Sequence, residues 1–271
     1  MREGMAGYLP LRLDGIERAA REACECARSV GGKTRTEELR VLFLAAAVPM
    51  AEGEIVEIGS FTGRSTVALV KGALWSGQDR VVACDPFDRP SPTCPGAGRS
   101  IYEDFTANLA GLGLLDHVEV HREFSTAMAK GWDRPIRLLW IDGDHSPEGV
   151  KADVAGFFPH LVPGAVVAFH DVGSNRFPGP LVCFMEDVLL SDRFGECGMC
   201  YRTGWSQFLG SGGRQRHRRV KRKLYGLLSA FRSCDVFGVR MRGLTRLRYQ
   251  LFRKGARFQK WILSTARNRK G

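Results

Sequence analysis

The chain has 271 residues, 44% of them hydrophobic and 25% charged, enough to bury one full α/β domain with residues left over. No run approaches the roughly 18 apolar residues of a membrane-spanning helix, and Met1 to Glu22 has no apolar signal-peptide core. The net charge of +11 is unevenly held: residues 214–270 carry 19 lysines and arginines against one acid, Asp235, which leaves the rest of the chain acidic. Eight cysteines in a chain of this length read as reduced thiols of a cytoplasmic protein. Cys197-Gly-Met-Cys200 has a zinc-like spacing, but no second Cys-x-x-Cys or His pair completes a ligand set.

In chain order, Leu11 to Ser29 reads as an amphipathic helix and Thr34 to Ala51 as a second, mostly apolar one, both capping the domain that follows. Residues 54–58 form an apolar strand interrupted by Glu57. A turn bracketed by Gly59 and Gly63 follows, and then a helical pattern over 64–75. Strand, tight loop and helix in this order make the ligand-binding corner of a doubly wound sheet. The spacing is Gly-x-x-x-Gly rather than Gly-x-Gly-x-x-Gly, which argues against NAD. An acid before the first glycine suits a ligand that carries positive charge or donor groups.

A second strand, 80–84, ends at Asp85, 28 positions after Glu57, where doubly wound folds hold a ribose by its hydroxyls. The proline-rich stretch 86–98 is a loop over the ligand end of the sheet. Further strands are expected at 117–121, 136–141 and 164–169, with helices at 100–111, 147–158 and 180–191. Two late strands, 198–202 and 205–209, complete the pattern. The alternation implies a Rossmann-like three-layer α/β fold: a mainly parallel seven-stranded sheet with an antiparallel edge hairpin. The expected organisation is N-terminal helices over 1–50, a catalytic domain over 51–212, and a basic helical tail over 213–271.

Three segments carry a resemblance: Glu57-Ile-Gly-Ser-Phe-Thr-Gly-Arg-Ser65, Ile141-Asp-Gly-Asp-His-Ser146 and Phe169-His-Asp-Val172. Over roughly Thr36 to Gly210 the chain resembles class I S-adenosylmethionine-dependent methyltransferases. It is most similar to the group of macrocin-type sugar O-methyltransferases and cephalosporin hydroxylase-like proteins, and more distantly to catechol O-methyltransferase. The resemblance implies that S-adenosylmethionine lies along Gly59, Phe61 and Gly63, with Glu57 at its amino end. Ser65 would face its carboxylate at a helix N-terminus, Asp85 its ribose, and Ser125 its adenine. It also implies a divalent cation, magnesium or manganese, held by Asp142, His170 and Asp171, with Asp144 as a substitute ligand and His145 as general base. His170 stands where relatives often carry a carboxylate, and imidazole shifts preference away from magnesium.

The implied reaction is O-methylation of a sugar, another small polyhydroxylated metabolite or a glycolipid, with loop 86–99 and segment 172–181 shaping the acceptor pocket. An RNA methyltransferase anchored by the tail is the alternative, but Asp-Gly-Asp-His stands where base-methylating enzymes carry an Asn-Pro-Pro-Tyr-like motif. The tail interleaves Leu224, Leu227, Leu228, Phe231, Phe258, Trp261 and Ile262 with basic residues. That pattern suits an anionic membrane surface, a nucleic acid less well, or the domain's own surface. Homo-oligomerisation is left open.

Overall fold

The computed structural model describes residues 13–92, 98–174, 177–235 and 256–268, without the side chains of Arg214, residues 230–235 and Ala256. Two N-terminal helices, α1 (Ile16–Arg28) and α2 (Thr36–Ala47), lead into β1 (Glu54–Ile58). Then follow α3 (Arg64–Trp75), β2 (Val81–Cys84), α4 (Ile101–Gly111), β3 (Val118–His121), α5 (Ser125–Met128), β4 (Ile136–Ile141), α6 (Pro147–Phe157) and β5 (Leu161–Phe169). After β5, α7 (Pro178–Cys183) runs into a π-helical segment, Phe184–Leu189. The chain continues through β6 (Phe194–Cys200), β7 (Thr203–Phe208), α8 (Gly213–Arg216), α9 (Arg218–Asp235) and α10 (Ala256–Asn268).

The seven strands make one sheet in the order β3-β2-β1-β4-β5-β7-β6. The first five are parallel, and β7 runs antiparallel to both β5 and β6. This is the expected architecture. The edge strand begins earlier than the spacing predicts, at Phe194, because the β6–β7 register shifts between Phe194 and Cys197.

Strand side chains alternate between two cores. Ile55, Val81, Leu138 and Trp140 pack under α1 to α4. Val56, Val82, Leu139 and Ile141 pack under α6, α7 and the π-helical segment. Cys197 and Cys200 fall in opposite cores, so their spacing cannot serve one metal ion. Burial pushes the Cys197 thiol up to about 12.

Local signals fix the helix starts. Ser100 accepts from the Glu103 amide while Glu103 Oε2 accepts from the Ser100 amide at 2.7 Å, a reciprocal cap for α4. Ser146 caps α6 by accepting from the Gly149 amide at 3.0 Å, with Pro147 in the first turn.

The basic tail does not begin a separate body at 213. Leu224 and Leu228 of α9 are buried in the second core, and Phe258, Ile262 and Ala266 of α10 in the first. Lys221 is buried, its ammonium donating to the carbonyls of Ser191 (2.5 Å) and Phe194 (2.8 Å). Trp205 of β7 meets Phe258 edge-on at 4.8 Å and stacks on Trp261 at 4.9 Å. The buried apolar residues of both tail helices are therefore turned inward, which agrees with the expected alternative in which the tail packs on the domain's own surface. Residues 236–255 lie outside the described residues.

Candidate active site

The strand order reverses between β1 and β4, and the site lies in the crevice at their carboxyl ends. Gly59 follows β1 with φ 83°, its amide donating to the Cys84 carbonyl at 2.8 Å. A Cβ there would stand 2.2 Å from the carbonyl oxygen of Asp142. The glycine is thus required where the chain leaving β1 crosses the chain leaving β4, before any ligand is considered. Gly63 caps α3 with φ 96°.

Between these glycines Phe61 takes a left-handed φ of 49° and donates its amide to Asp85 Oδ2 at 2.9 Å. Asp85 Oδ1 accepts from the amide of Phe87, itself at φ 51°, at 2.8 Å. One carboxylate thus ties the loops after β1 and β2 together, and each of its oxygens keeps a lone pair for a further donor. Two strained non-glycine residues on one acid mark a stiffened corner.

Glu57 is fully buried beneath the loop and accepts from the Thr66 hydroxyl at 2.5 Å. Its Oε1 has no partner among the described residues. Burial pushes its carboxyl up to about 7, against the Ser65, Thr66 and Ser60 hydroxyls beside it. Ser65, in the first turn of α3, is buried next to it.

Beside this corner, strand ends bring four polar side chains together. His170 Nδ1 lies 3.0 Å from Asp142 Oδ1. His145 Nε2 lies 3.4 Å from Asp142 Oδ1 and 3.4 Å from Asp171 Oδ2. Asp142, His145 and His170 each present a ligand atom within 4.8 Å of the others. Although burial opposes its ionisation, Asp142 is held below the ordinary range by His170 and His145. Burial likewise disfavours a charged His170, yet Asp142 and Glu38 hold it well above its usual value.

Residues 56–172 match a family model described as a methyltransferase domain. This segment is thus similar to methyltransferase domains, as its three motifs imply. Its fold is shared with solved structures of low identity. The O-methyltransferase TomG from Streptomyces achromogenes, in complex with SAM, is 19% identical, with 71% of this chain and 90% of that one covered and a TM-score of 0.50. A SAH-bound methyltransferase from Podospora anserina is 14% identical (75% and 99% covered, TM-score 0.51). A Corynebacterium glutamicum protein is 13% identical (73% and 91% covered, TM-score 0.53).

The geometry gives several of the expected site residues further partners. Asp142, His145 and His170 converge, and Asp171 Oδ2 adjoins them, 3.4 Å from His145 Nε2 and 3.9 Å from His170 Nδ1. Asp171 takes a left-handed φ of 55° after β5 and gives Oδ1 to Arg202 Nη1 at 3.2 Å. Asp144 accepts from the Ser146 amide (2.9 Å) and hydroxyl (2.8 Å), one donor to each oxygen. The Ser125 hydroxyl donates to Asp153 on α6 at 2.5 Å, which fixes it as a brace between α5 and α6. Burial pushes Asp153 up to about 6.

The residue that sequence reasoning missed is Glu38. Its Oε2 lies 3.7 Å from His170 Nε2 and accepts from the Arg35 amide at 3.0 Å. Oε1 accepts from the Arg202 amide at 3.0 Å and the Thr203 hydroxyl at 3.1 Å. Thr36-x-Glu38 signals a helix start, and nothing in that pattern points at a residue beyond β5. Of the segment expected to shape the acceptor pocket, Phe177 packs on the His145 ring at 4.4 Å, while residues 93–97 and 175–176 lie outside the described residues.

Proposed function

We propose that the chain is an O-methyltransferase, transferring the methyl group of S-adenosylmethionine to a hydroxyl of a sugar or another small polyhydroxylated metabolite, with a divalent cation at Asp142, His145 and His170. The observation that carries this reading is the convergence of those three side chains at 3.0–3.4 Å contacts beside the β1–β4 crevice. TomG, which shares the fold, is an O-methyltransferase.

A hydroxyl is a poor nucleophile until its proton leaves, so the site must supply somewhere for that proton or for the developing charge. The donor set fits a cation: one carboxylate, two imidazoles, and a second carboxylate, Glu38, behind His170 Nε2 to orient the ring. Two imidazoles favour manganese, iron or zinc over magnesium. Bound there, the ion would lower the pKa of a coordinated hydroxyl. Asp171 and Arg202 close the far side as an ion pair. Glu57 and Asp85, an unpartnered buried oxygen and a carboxylate with spare lone pairs, are the proposed anchors for the cofactor's amino group and ribose.

A metal-free reading also has an observation behind it. The buried Nε2 of His145 has no hydrogen-bond partner among the described residues and sits equally close to Asp142 and Asp171. Those acids would stabilise an imidazolium if His145 alone took the proton. Incubating the full chain with S-adenosylmethionine and a panel of sugars and polyols, and measuring S-adenosylhomocysteine, separates the two. Turnover lost in chelator and restored by Mn2+ is the expected result. Undiminished turnover in chelator would transfer the role to His145, and turnover with amine but not hydroxyl acceptors would overturn O-methylation.

A further inference from the structure

Helix α9 buries Leu224 and Leu228 and so commits its apolar side to the domain. What it turns outward is cationic. Arg216, Arg218, Arg219, Arg222 and Lys223 are exposed, and none of the five forms an ion pair among the described residues. Surface cations of globular domains are commonly interspersed with acids, yet between Gly213 and Cys234 there is none.

An open cleft of about 240 Å3 runs along the same face, lined by Leu189, Leu190, Arg218, Lys221, Arg222 and Tyr225. Leu190 is 45% exposed at its edge. Lys221 is committed to the Ser191 and Phe194 carbonyls, so Arg218 and Arg222, one helical turn apart, are the cations free to meet a ligand. Two leucines, one tyrosine and two guanidinium groups combine an apolar floor with anion-binding donors. The element that ends at Leu189–Leu190 begins at α7, where the Gly179 amide donates to the His145 carbonyl at 3.2 Å. The cleft and the catalytic cluster are thus joined by one continuous helical segment.

We propose that this face docks the protein on a bilayer surface bearing anionic lipid headgroups, with a headgroup phosphate between Arg218 and Arg222 and Leu190 against the acyl boundary. A cationic face alone would also suit a nucleic acid, but single-stranded nucleic acid binding relies on successive aromatic platforms. This cleft offers leucines and one tyrosine. No described helix is long and apolar enough to cross a membrane, so the contact is peripheral. The inference is independent of the methyl acceptor and of the cation.

The test is sedimentation of the full chain with vesicles of phosphatidylcholine alone or with about one third phosphatidylserine, at low and physiological salt. Binding is expected only to the anionic vesicles and should weaken as salt rises, since headgroup attraction is screened within about 8–10 Å. R218E/R222E, both at exposed positions, should lose about tenfold or more in vesicle binding. Leu190→Asp should weaken it independently. Each variant must keep the wild-type melting temperature and affinity for S-adenosylhomocysteine, which separates lost docking from lost folding. Equal binding to neutral vesicles, no effect of R218E/R222E, or tighter binding to single-stranded RNA than to anionic vesicles at the same salt would overturn the proposal.

Discussion

Glu38 on α2 stands 3.7 Å from Nε2 of His170, on the far side of the imidazole from Asp142, whose Oδ1 is 3.0 Å from Nδ1. The ring is therefore held between two carboxylates contributed by an N-terminal helix and a central strand. The same Glu38 holds the Arg202 amide and the Thr203 hydroxyl at the β6–β7 turn. One buried acid thus links the N-terminal helices, the edge hairpin and the cluster of Asp142, His145 and His170.

Replacing Glu38 with Gln should leave the fold in place but loosen His170. Mn2+ affinity, followed by electron paramagnetic resonance, is expected to fall roughly ten- to hundredfold, the usual cost of losing an outer-shell partner. Affinity for S-adenosylhomocysteine should not change. Unaltered Mn2+ binding would show that Glu38 only caps α2.

Gly59→Ala tests a different claim. Its Cβ would collide with the Asp142 backbone at a positive φ, so the expected effect is on stability, about 3 kcal/mol or more. A marked fall in melting temperature without ligand is the predicted readout. A variant as stable as wild type that has lost only cofactor affinity would return the glycine to a ligand-contact role.

The positions of the strand-end acids Glu57 and Asp85, the cluster-bearing strands and the mainly parallel sheet were legible because they depend on local pattern: apolar runs of fixed length ending in polar residues. Glu38 was not, since every partner but the Arg35 amide lies more than a hundred residues away and its local context already accounts for it as a helix-capping acid. Asp171 keeps Oδ2 beside the two histidines, while a left-handed turn at this residue sends Oδ1 to Arg202, a partner that no local pattern announces. The tail's readings stayed open in the sequence for a general reason: an amphipathic basic helix looks the same whether its apolar side meets lipid or Trp205.

Phe258 and Leu224 carry the inward packing of the tail to experiment. Truncation after residue 212 should expose the surfaces that α9 and α10 cover, giving an insoluble or strongly destabilised product. Phe258→Ala in the full chain should cost about 3–5 kcal/mol, read by denaturant unfolding. A soluble 1–212 fragment with an unchanged melting temperature would restore the tail as a separate appendage.

Glu57 predicts a pH dependence. Burial raises its carboxyl to about 7 in the folded protein, above its unfolded value, so it folds best protonated. Its contribution is fully present below the unfolded pKa of about 4.3 and is lost as pH rises through about 7. Glu57→Gln should therefore be neutral in stability near pH 4 and stabilising relative to wild type at pH 8, measured by thermal unfolding across that range. In wild type, an ammonium group bound at Glu57 favours the ionised form, so cofactor affinity should rise from pH 5 to 7 and level off above it. A flat profile would remove Glu57 from the cofactor's amino end.

The most direct measurement is a calorimetric titration of the full chain with S-adenosylmethionine and S-adenosylhomocysteine, repeated for Asp85→Asn and His145→Ala. The account predicts saturable binding of both ligands at one site per chain. Asp85→Asn should weaken both by about tenfold, and His145→Ala should leave S-adenosylhomocysteine affinity unchanged while abolishing methyl transfer. No binding to the wild-type chain, or binding indifferent to Asp85 but lost with His145, would contradict it.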